Sequence, residues 1–373
     1  MTIMWIIIML TVMVAFVLGI IYLISHIRKF AFVDKLSKGK RALSIIIATL
    51  IVIASALIFH FTLGYVNTCV IFISLTIFWL IVDLVAFIIY RASQNKIKLN
   101  DNITGMVAIA ITFIYLAVGM YLAHHVAITE YTIETNKNVE PLKIVMFSDS
   151  HMGTTFDGEG FKKHIDTINS LNPDIVLIPG DYVDGSSRYN DIITASNALG
   201  EIKSKYGVYF CFGNHDQNYY GEDARRDFTE EELRRLFSEN HVIILEDEAV
   251  DFADGYTLIG RKDATEADRE SIVDLMSKTI EGDFVIDMNH QPNDYANEAA
   301  SGVDLVVSGH THGGQLFPIN EVGVWIGAND KTYGYEKRDN TNFIVSSGIS
   351  DWALDFKTGC KSEIVVINVL GKK

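Results

Sequence analysis

Polar residues are so sparse in the first third of the chain that the feature to read there is the length of the apolar runs. Ile3–Ile24 is a run of 22 residues without a formal charge, Arg41 and Asp83 bracket 41 more, and Ile103–Ala123 adds 21. About 20 apolar residues in a helix cross a bilayer, so the 41-residue stretch is too long for one crossing. It breaks naturally at Gly64-Tyr65-Val66-Asn67. The pattern predicts an all-α transmembrane region, 1–127, with four helices near 3–24, 43–63, 69–90 and 103–123. The first is expected to be a retained span rather than a cleaved signal peptide, because no Lys or Arg precedes it and no small-x-small site follows. Asp83, inside the third span, is expected to reach polar headgroups or Arg91 at the basic end. His124 and His125 are expected to lie at the membrane interface and not to bind metal.

From residue 142 the rhythm changes. Short apolar runs read as strands at 142–147, 175–178, 208–212, 242–245, 257–259, 284–288, 305–307, 343–345 and 364–369. Amphipathic stretches read as helices at 159–170, 190–204, 229–240 and 264–280, and Thr229-Glu230-Glu231-Glu232 fits a capping box at the third. The strands are almost continuously apolar, which suggests sheets covered on both faces. Residues 128–141 are expected to form a linker and 142–373 an α/β domain.

Charge sharpens this division. The 373 residues carry a net −15, but residues 1–127 hold nine Lys and Arg against three Asp and Glu, leaving a back half at −21. Such a domain is a poor partner for nucleic acid, whose phosphates need cations. Six basic residues lie between the first two spans and three between the last two, with none around 61–68. The positive-inside rule then puts both basic loops in the cytoplasm and the acidic domain on the extracytoplasmic side of the cell membrane. Cys69, Cys211 and Cys360 cannot make a disulfide scaffold, and a core-strand Cys211 is expected to be packed rather than paired.

The strand ends carry the chemistry. Strand 142–147 runs into Ser148-Asp149-Ser150-His151, and 175–178 into Pro179-Gly180-Asp181-Tyr182-Val183-Asp184. Strand 208–212 runs into Gly213-Asn214-His215-Asp216, 284–288 into Asn289-His290, and 305–307 into Ser308-Gly309-His310-Thr311-His312-Gly313-Gly314. Ligands gather beyond the carboxyl ends of strands in α/β sheets. Asp149, His151, Asp181, Asn214, His290, His310 and His312 offer only nitrogen and oxygen donors. Seven are too many for one tetrahedral ion but suit two ions sharing a carboxylate, a geometry matched to in-line displacement at phosphorus.

Asp149-x-His151, Gly180-Asp181-x-x-Asp184, Gly213-Asn214-His215-Asp216, His290 and Gly309-His310-x-His312 resemble the signature of the calcineurin-like metallophosphoesterases, over about 142–369. His312-Gly313-Gly314-Gln315, Tyr333-Gly334-Tyr335 and Ser346-Ser347-Gly348 look like the bacterial membrane-anchored branch, which includes relatives of lipid-A-pathway pyrophosphatases. The resemblance implies a two-sheet β-sandwich flanked by helices and two divalent ions such as Mn, Fe or Zn. One ion would be held by Asp149, His151, Asp181 and His312, the other by Asp181, Asn214, His290 and His310. A metal-bridging hydroxide would attack phosphorus, with His215 as general acid and Asp216 orienting its ring. In the stretch where many relatives carry an arginine this chain reads Trp352-Ala353-Leu354-Asp355-Phe356-Lys357-Thr358-Gly359-Cys360, which assigns no phosphate-contacting residue, and a Lys is a point charge rather than a fork. The expected substrate is a phosphorylated small molecule or a lipid-linked phosphate or pyrophosphate, met at the lipid bilayer. A non-catalytic metal-binding scaffold, or a membrane sensor or transporter with an accessory phosphoesterase-like domain, is the alternative.

Overall fold

The computed structural model describes residues 2–217, 219, 221 and 225–372, with side chains from position 10 onward. The chain divides into two compact units, Met1–Gly119 and Met120–Lys373.

The first unit is helical. Its elements are α1 (Thr2–Ile27), α2 (Ala31–Ser37), α3 (Arg41–Ala92) and most of α4 (Asp101–His124). Among the described residues, α1, α3 and α4 are long and apolar enough to cross a membrane. Leu18, Phe61, Ile88 and Phe113 stand exposed along them, a surface that water would not leave bare. The 52-residue α3 is interrupted at Gly64, with φ 82° and ψ 172°. Only glycine reaches that region without strain, so the break falls where the sequence predicts it. Asp83 finds other partners than those expected. It accepts a hydrogen bond from Tyr22 Oη at 2.6 Å and lies 3.5 Å from His26 Nε2. Leu23 packs with Phe72 and Trp79 where α1 meets α3. A carboxylate in such a seam takes the donors of the facing helix.

The second unit is a two-sheet sandwich. The first sheet is ordered β1-β12-β2-β3-β4-β5, from β1 (Ala127–Thr135), β12 (Glu363–Gly371), β2 (Leu142–Met146), β3 (Ile175–Pro179), β4 (Val208–Cys211) and β5 (Val242–Ile244). The second is ordered β10-β11-β9-β8-β7-β6, from β10 (Gly334–Arg338), β11 (Thr341–Val345), β9 (Leu305–Ser308), β8 (Phe284–Met288), β7 (Tyr256–Gly260) and β6 (Glu248–Ala253). Alternate residues explain the continuous apolar runs. Ile144, Met146, Ile175 and Leu177 meet Leu258, Ile286, Met288 and Val307 in the core between the sheets. Val145, Phe147, Val176 and Ile178 point the other way, onto α5 (Gly158–Ser170), α6 (Tyr189–Leu199) and α7 (Glu230–Glu239). Val285, Val306 and Phe343 likewise cover α8 (Ile272–Met276) and α9 (Tyr295–Ser301). The α7 capping box is present, with the Thr229 side chain accepting from Glu232 N and Glu232 Oε2 accepting from Thr229 N.

Two expectations need correction. Residues 128–135 are not linker but belong to β1, which pairs in parallel with β12 along its whole length. Their Ile, Thr and Tyr content suits a strand, but half of the positions face solvent, so no apolar run announces it. The helix expected at 264–280 shrinks to the five residues of α8. Carboxylates take the preceding amides: Asp263 Oδ1 accepts from Thr265 N and Asp247 Oδ2 from Glu270 N. Side-chain acceptors of this kind compete with helix formation.

Candidate metal centre

Five strand ends converge at one edge of the sandwich. In the first sheet β2, β3 and β4 lie side by side in parallel and deliver Asp149 and His151, Asp181, and Asn214 with His215. In the second sheet the parallel neighbours β8 and β9 deliver His290, His310 and His312. All are buried except His310, which is half-buried. The structure groups them into two sets, Asp149 with His151 and His312, and Asp181 with His290 and His310. Within each set the donor atoms lie within 4.8 Å of one another.

The backbone is bent sharply to achieve this. Asp149, His151, Asp181, His310 and His312 have φ of 54°, 36°, 53°, 71° and 48°, a region costly for residues with a Cβ and one that clusters at functional sites. Gly180, at φ 78°, permits the turn between β3 and Asp181, and a Cβ there would stand 2.6 Å from His290 Nδ1.

Three imidazoles are aimed by oxygen atoms behind them. His290 Nδ1 lies 2.8 Å from Pro179 O, His312 Nδ1 3.3 Å from Ser350 O, and His151 Nδ1 3.2 Å from Asp184 Oδ2. Anchoring Nδ1 this way leaves Nε2 for the centre, where it can serve as a ligand. His290 Nε2 is 3.1 Å from Asp181 Oδ2, and His151 Nε2 is 3.1 Å from His312 Nε2. Asp184 stands in the Gly180-Asp181-x-x-Asp184 motif, but its place behind His151 could not be read from spacing alone.

The electrostatics follow from burial and charge. Burial pushes the Asp181 carboxyl up, yet the charge and hydrogen bond of His290, then His215 and His151, hold it well below the usual carboxylate range. Burial would lower His290, but Asp181 and Asp149 raise it well above the ordinary value. Burial and the His290 charge bring His310 down to about 4, and burial with the His151 and Lys357 charges depresses His312 strongly. An anionic Asp181 with neutral His310 and His312, and a His290 that would give up its proton to a cation, is a donor set for a borderline divalent ion. Orphaned buried atoms point the same way, since both polar atoms of the Asn214 amide lack a hydrogen-bond partner. Buried polar atoms without partners are uncommon and mark sites for an ion or water. The residues present therefore fit cations.

His215 sits against this centre, its ring centroid 5.0 Å from that of His151. Its backbone N donates to Asp181 Oδ1 at 2.9 Å, and Arg226 holds the carbonyls of His215 and Asp216. Asp216, expected to orient the His215 ring, has its oxygens occupied by four amides. Oδ2 accepts from Asp181 N (2.7 Å) and Gly213 N (2.8 Å), Oδ1 from Tyr182 N (2.8 Å) and Val183 N (3.0 Å). Its place is in fixing the backbone of two ligand loops. Lys357 does not face the centre. It is fully buried, donating to Ser347 O at 2.7 Å, Ser350 O at 2.9 Å and Ser362 Oγ at 3.0 Å, with Asp351 Oδ1 at 3.3 Å. Sequence reasoning missed this role because the partners of Lys357 are set by tertiary contacts. Cys211 and Cys360 are buried free thiols.

The model of the calcineurin-like phosphoesterase family matches residues 142–314. A Campylobacter jejuni protein described as an uncharacterized metallophosphoesterase is 30% identical over 241 residues, covering 62% of this chain and 60% of its own length. A Bos taurus transmembrane protein with metallophosphoesterase domain is 30% identical over 275 residues, 69% of this chain and 60% of that protein. An Aquifex aeolicus uncharacterized metallophosphoesterase is 28% identical over 268 residues, 70% of this chain and 99% of its own. The chain thus spans 60% of the length of the first two of these relatives.

Proposed function

Because this chain carries a calcineurin-like metallophosphoesterase domain, we propose that it is a membrane-anchored phosphoesterase with two divalent ions. It hydrolyses a phosphoester or pyrophosphate bond. The observation that carries the reading is the pair of buried donor sets, each within 4.8 Å and drawn from both sheets. Asp149, His151, Asp181 and His312 would hold one cation, and Asp181, Asn214, His290 and His310 the other. Cations so placed supply Lewis acidity toward phosphoryl oxygens and activate water as a nucleophile near neutral pH.

The chain's own residues supply the rest. His215 holds a proton at a ring nitrogen for the departing oxygen, and so acts on the leaving group. The bond from its amide to Asp181 Oδ1 and the Arg226 contacts fix its position relative to the donors. Asp216 locks the Asp181 and Gly213 amides together, so that the two ligand loops move as one piece. Asp184, Pro179 O and Ser350 O keep three imidazoles in the tautomer that presents Nε2.

The test is to purify the full-length protein in detergent, measure its metal content, and screen phosphomonoesters, phosphodiesters and pyrophosphates. About two equivalents of metal and chelator-sensitive hydrolysis support the reading. Metal-loaded protein inert on all three classes refutes it in favour of a binding scaffold. The interruption of α3 at Gly64 supports two crossings there and four in total, and the nine basic residues in the two flanking loops support an extracytoplasmic catalytic domain. Protease added to intact cells should then digest residues 128–373. Their survival beside a digested surface protein would overturn that topology.

A further inference from the structure

Four aromatic rings form a row that runs from the surface into the metal centre. Trp352, 42% exposed, lies 5.2 Å from the His215 ring, His215 lies 5.0 Å from His151, and His151 lies 4.9 Å from His312. Trp352 is therefore the outermost ring, directly over the side chain assigned to the leaving group. Hydrogen bonds tie its loop down. Gln315 Nε2 donates to Trp352 O at 3.2 Å, and Thr358 N donates to Gln315 O at 2.7 Å. Those bonds tie it to the segment that follows His312, where Phe317 is 61% exposed and donates its amide to Thr358 Oγ1. Ala353 is exposed beside Trp352. Asp351, the preceding residue, is buried against Lys357, so among the described residues the exposed surface of this loop beside the indole is that of Ala353.

We propose that Trp352 is a specificity-determining residue that seats the leaving group, and that the substrates are phosphoesters whose leaving alcohol carries apolar, alkyl-like surface. This rests on the phosphoesterase reading and on His215 facing the leaving oxygen. An alkyl chain beyond the ester oxygen lies along the indole and loses water contact there. Full burial of a methylene is worth about 4-fold, so contact with one open face is worth about 2-fold per methylene. Half-buried Asp355, three residues on, is the carboxylate of this loop that would favour a cationic leaving group stacked on the indole instead.

The experiment uses full-length protein in nanodiscs, loaded with Mn, with ethyl phosphate and hexyl phosphate, whose leaving alcohols are of similar basicity, and phosphocholine, whose leaving alcohol is more acidic and is therefore read only through its dependence on Trp352. In the wild type kcat/KM should rise about 16-fold from ethyl to hexyl, which adds four methylenes. The rise should fall below about 2-fold in Trp352→Ala and largely return in Trp352→Phe, while the ratio of phosphocholine to ethyl phosphate is the same in all three proteins. The ratio between esters is the readout, because a general loosening of the loop would lower all three alike. Hydrolysis with no dependence on chain length, or a ratio that survives Trp352→Ala, overturns the inference alone. A Trp352-dependent gain for phosphocholine in place of hexyl phosphate overturns it in favour of cation recognition. No hydrolysis of these monoesters by metal-loaded protein that does cleave a phosphodiester or pyrophosphate overturns the inference alone, and inertness on all three classes removes the phosphoesterase reading and this inference with it.

Discussion

Replacing Lys357 by methionine keeps most of the side-chain volume and removes one buried positive charge. That charge has Ser347 O, Ser350 O, Ser362 Oγ and Asp351 Oδ1 within 3.3 Å. Burial already pushes the Asp351 carboxyl up, and the Lys357 charge pulls it back. Without it Asp351, only 1% exposed, is a buried acid that has lost its ion-pair partner. Breaking one side of such a pair costs about 3–5 kcal/mol, a large share of the ~5–15 kcal/mol that holds a domain folded. Removing both partners together, in Lys357→Met with Asp351→Asn, should recover roughly half of the loss, because an amide is cheaper to bury than an unpaired carboxylate. The damage should also reach the metal centre, because Ser350 O, which Lys357 holds, is the acceptor behind His312 Nδ1. Loss of such an outer partner lowers metal affinity about 10–100-fold. Chelator titration of full-length wild type, the single variant and the double variant, with pulse proteolysis in urea, measures both effects. If Lys357→Met matched the wild type in both, the argument that this charge organises the loop behind His312 would be wrong.

Asp181 stands in one donor set and belongs by proposal to both ions, so Asp181→Asn should lower bound metal and reduce hydrolysis by about 10²-fold or more. Elemental analysis with a rate assay checks this, and two retained equivalents with normal turnover would sink the two-ion assignment. His215→Ala should slow alkyl esters by about 10²–10⁴-fold and nitrophenyl esters far less, because a good leaving anion needs little protonation. Equal losses on both would leave His215 only a positioning role. Burial and then the Asp287 charge raise Glu298 to about 8. Unfolded, it ionises near 4.3, so its neutral form stabilises the fold fully below that pH, and the contribution fades as pH rises to about 8. Urea midpoints should fall by the equivalent of a few kcal/mol over that window. Glu298→Gln should flatten the decline, and an unchanged slope would show that Glu298 is not its source.

The strands that build the site were legible because burial on both faces made them continuous apolar runs, each ending in a polar cluster. Asp149, His151, Asp181, Asn214, His290, His310 and His312 could be picked out for that reason, and the structure groups all of them but Asn214 into two sets at one edge. Strands β1, β6 and β10 were not seen, since intermediate and exposed residues alternate along them and dilute the apolar signal. The Gly64 interruption was visible as an overlong apolar run. The partners of Asp83 were not, because which donors face a carboxylate depends on how α1 packs on α3, a long-range fact. The same holds for Lys357 and Asp184, whose partners are set by tertiary contacts. The positive φ values of five donor residues also leave no trace in composition.

Each donor set takes residues from both sheets: Asp149 and His151 with His312, and Asp181 with His290 and His310. A cation held by either set would act as a clasp joining the two leaves of the sandwich at one edge. His151 and His312 stand 161 positions apart. Linking such distant points removes freedom chiefly from the unfolded chain, and a covalent tie over a 100-residue loop is credited with about 4.7 kcal/mol on that account. Metal supply would then set how long the folded domain survives as well as how fast it turns over, and scarcity would remove the enzyme through opening and proteolysis.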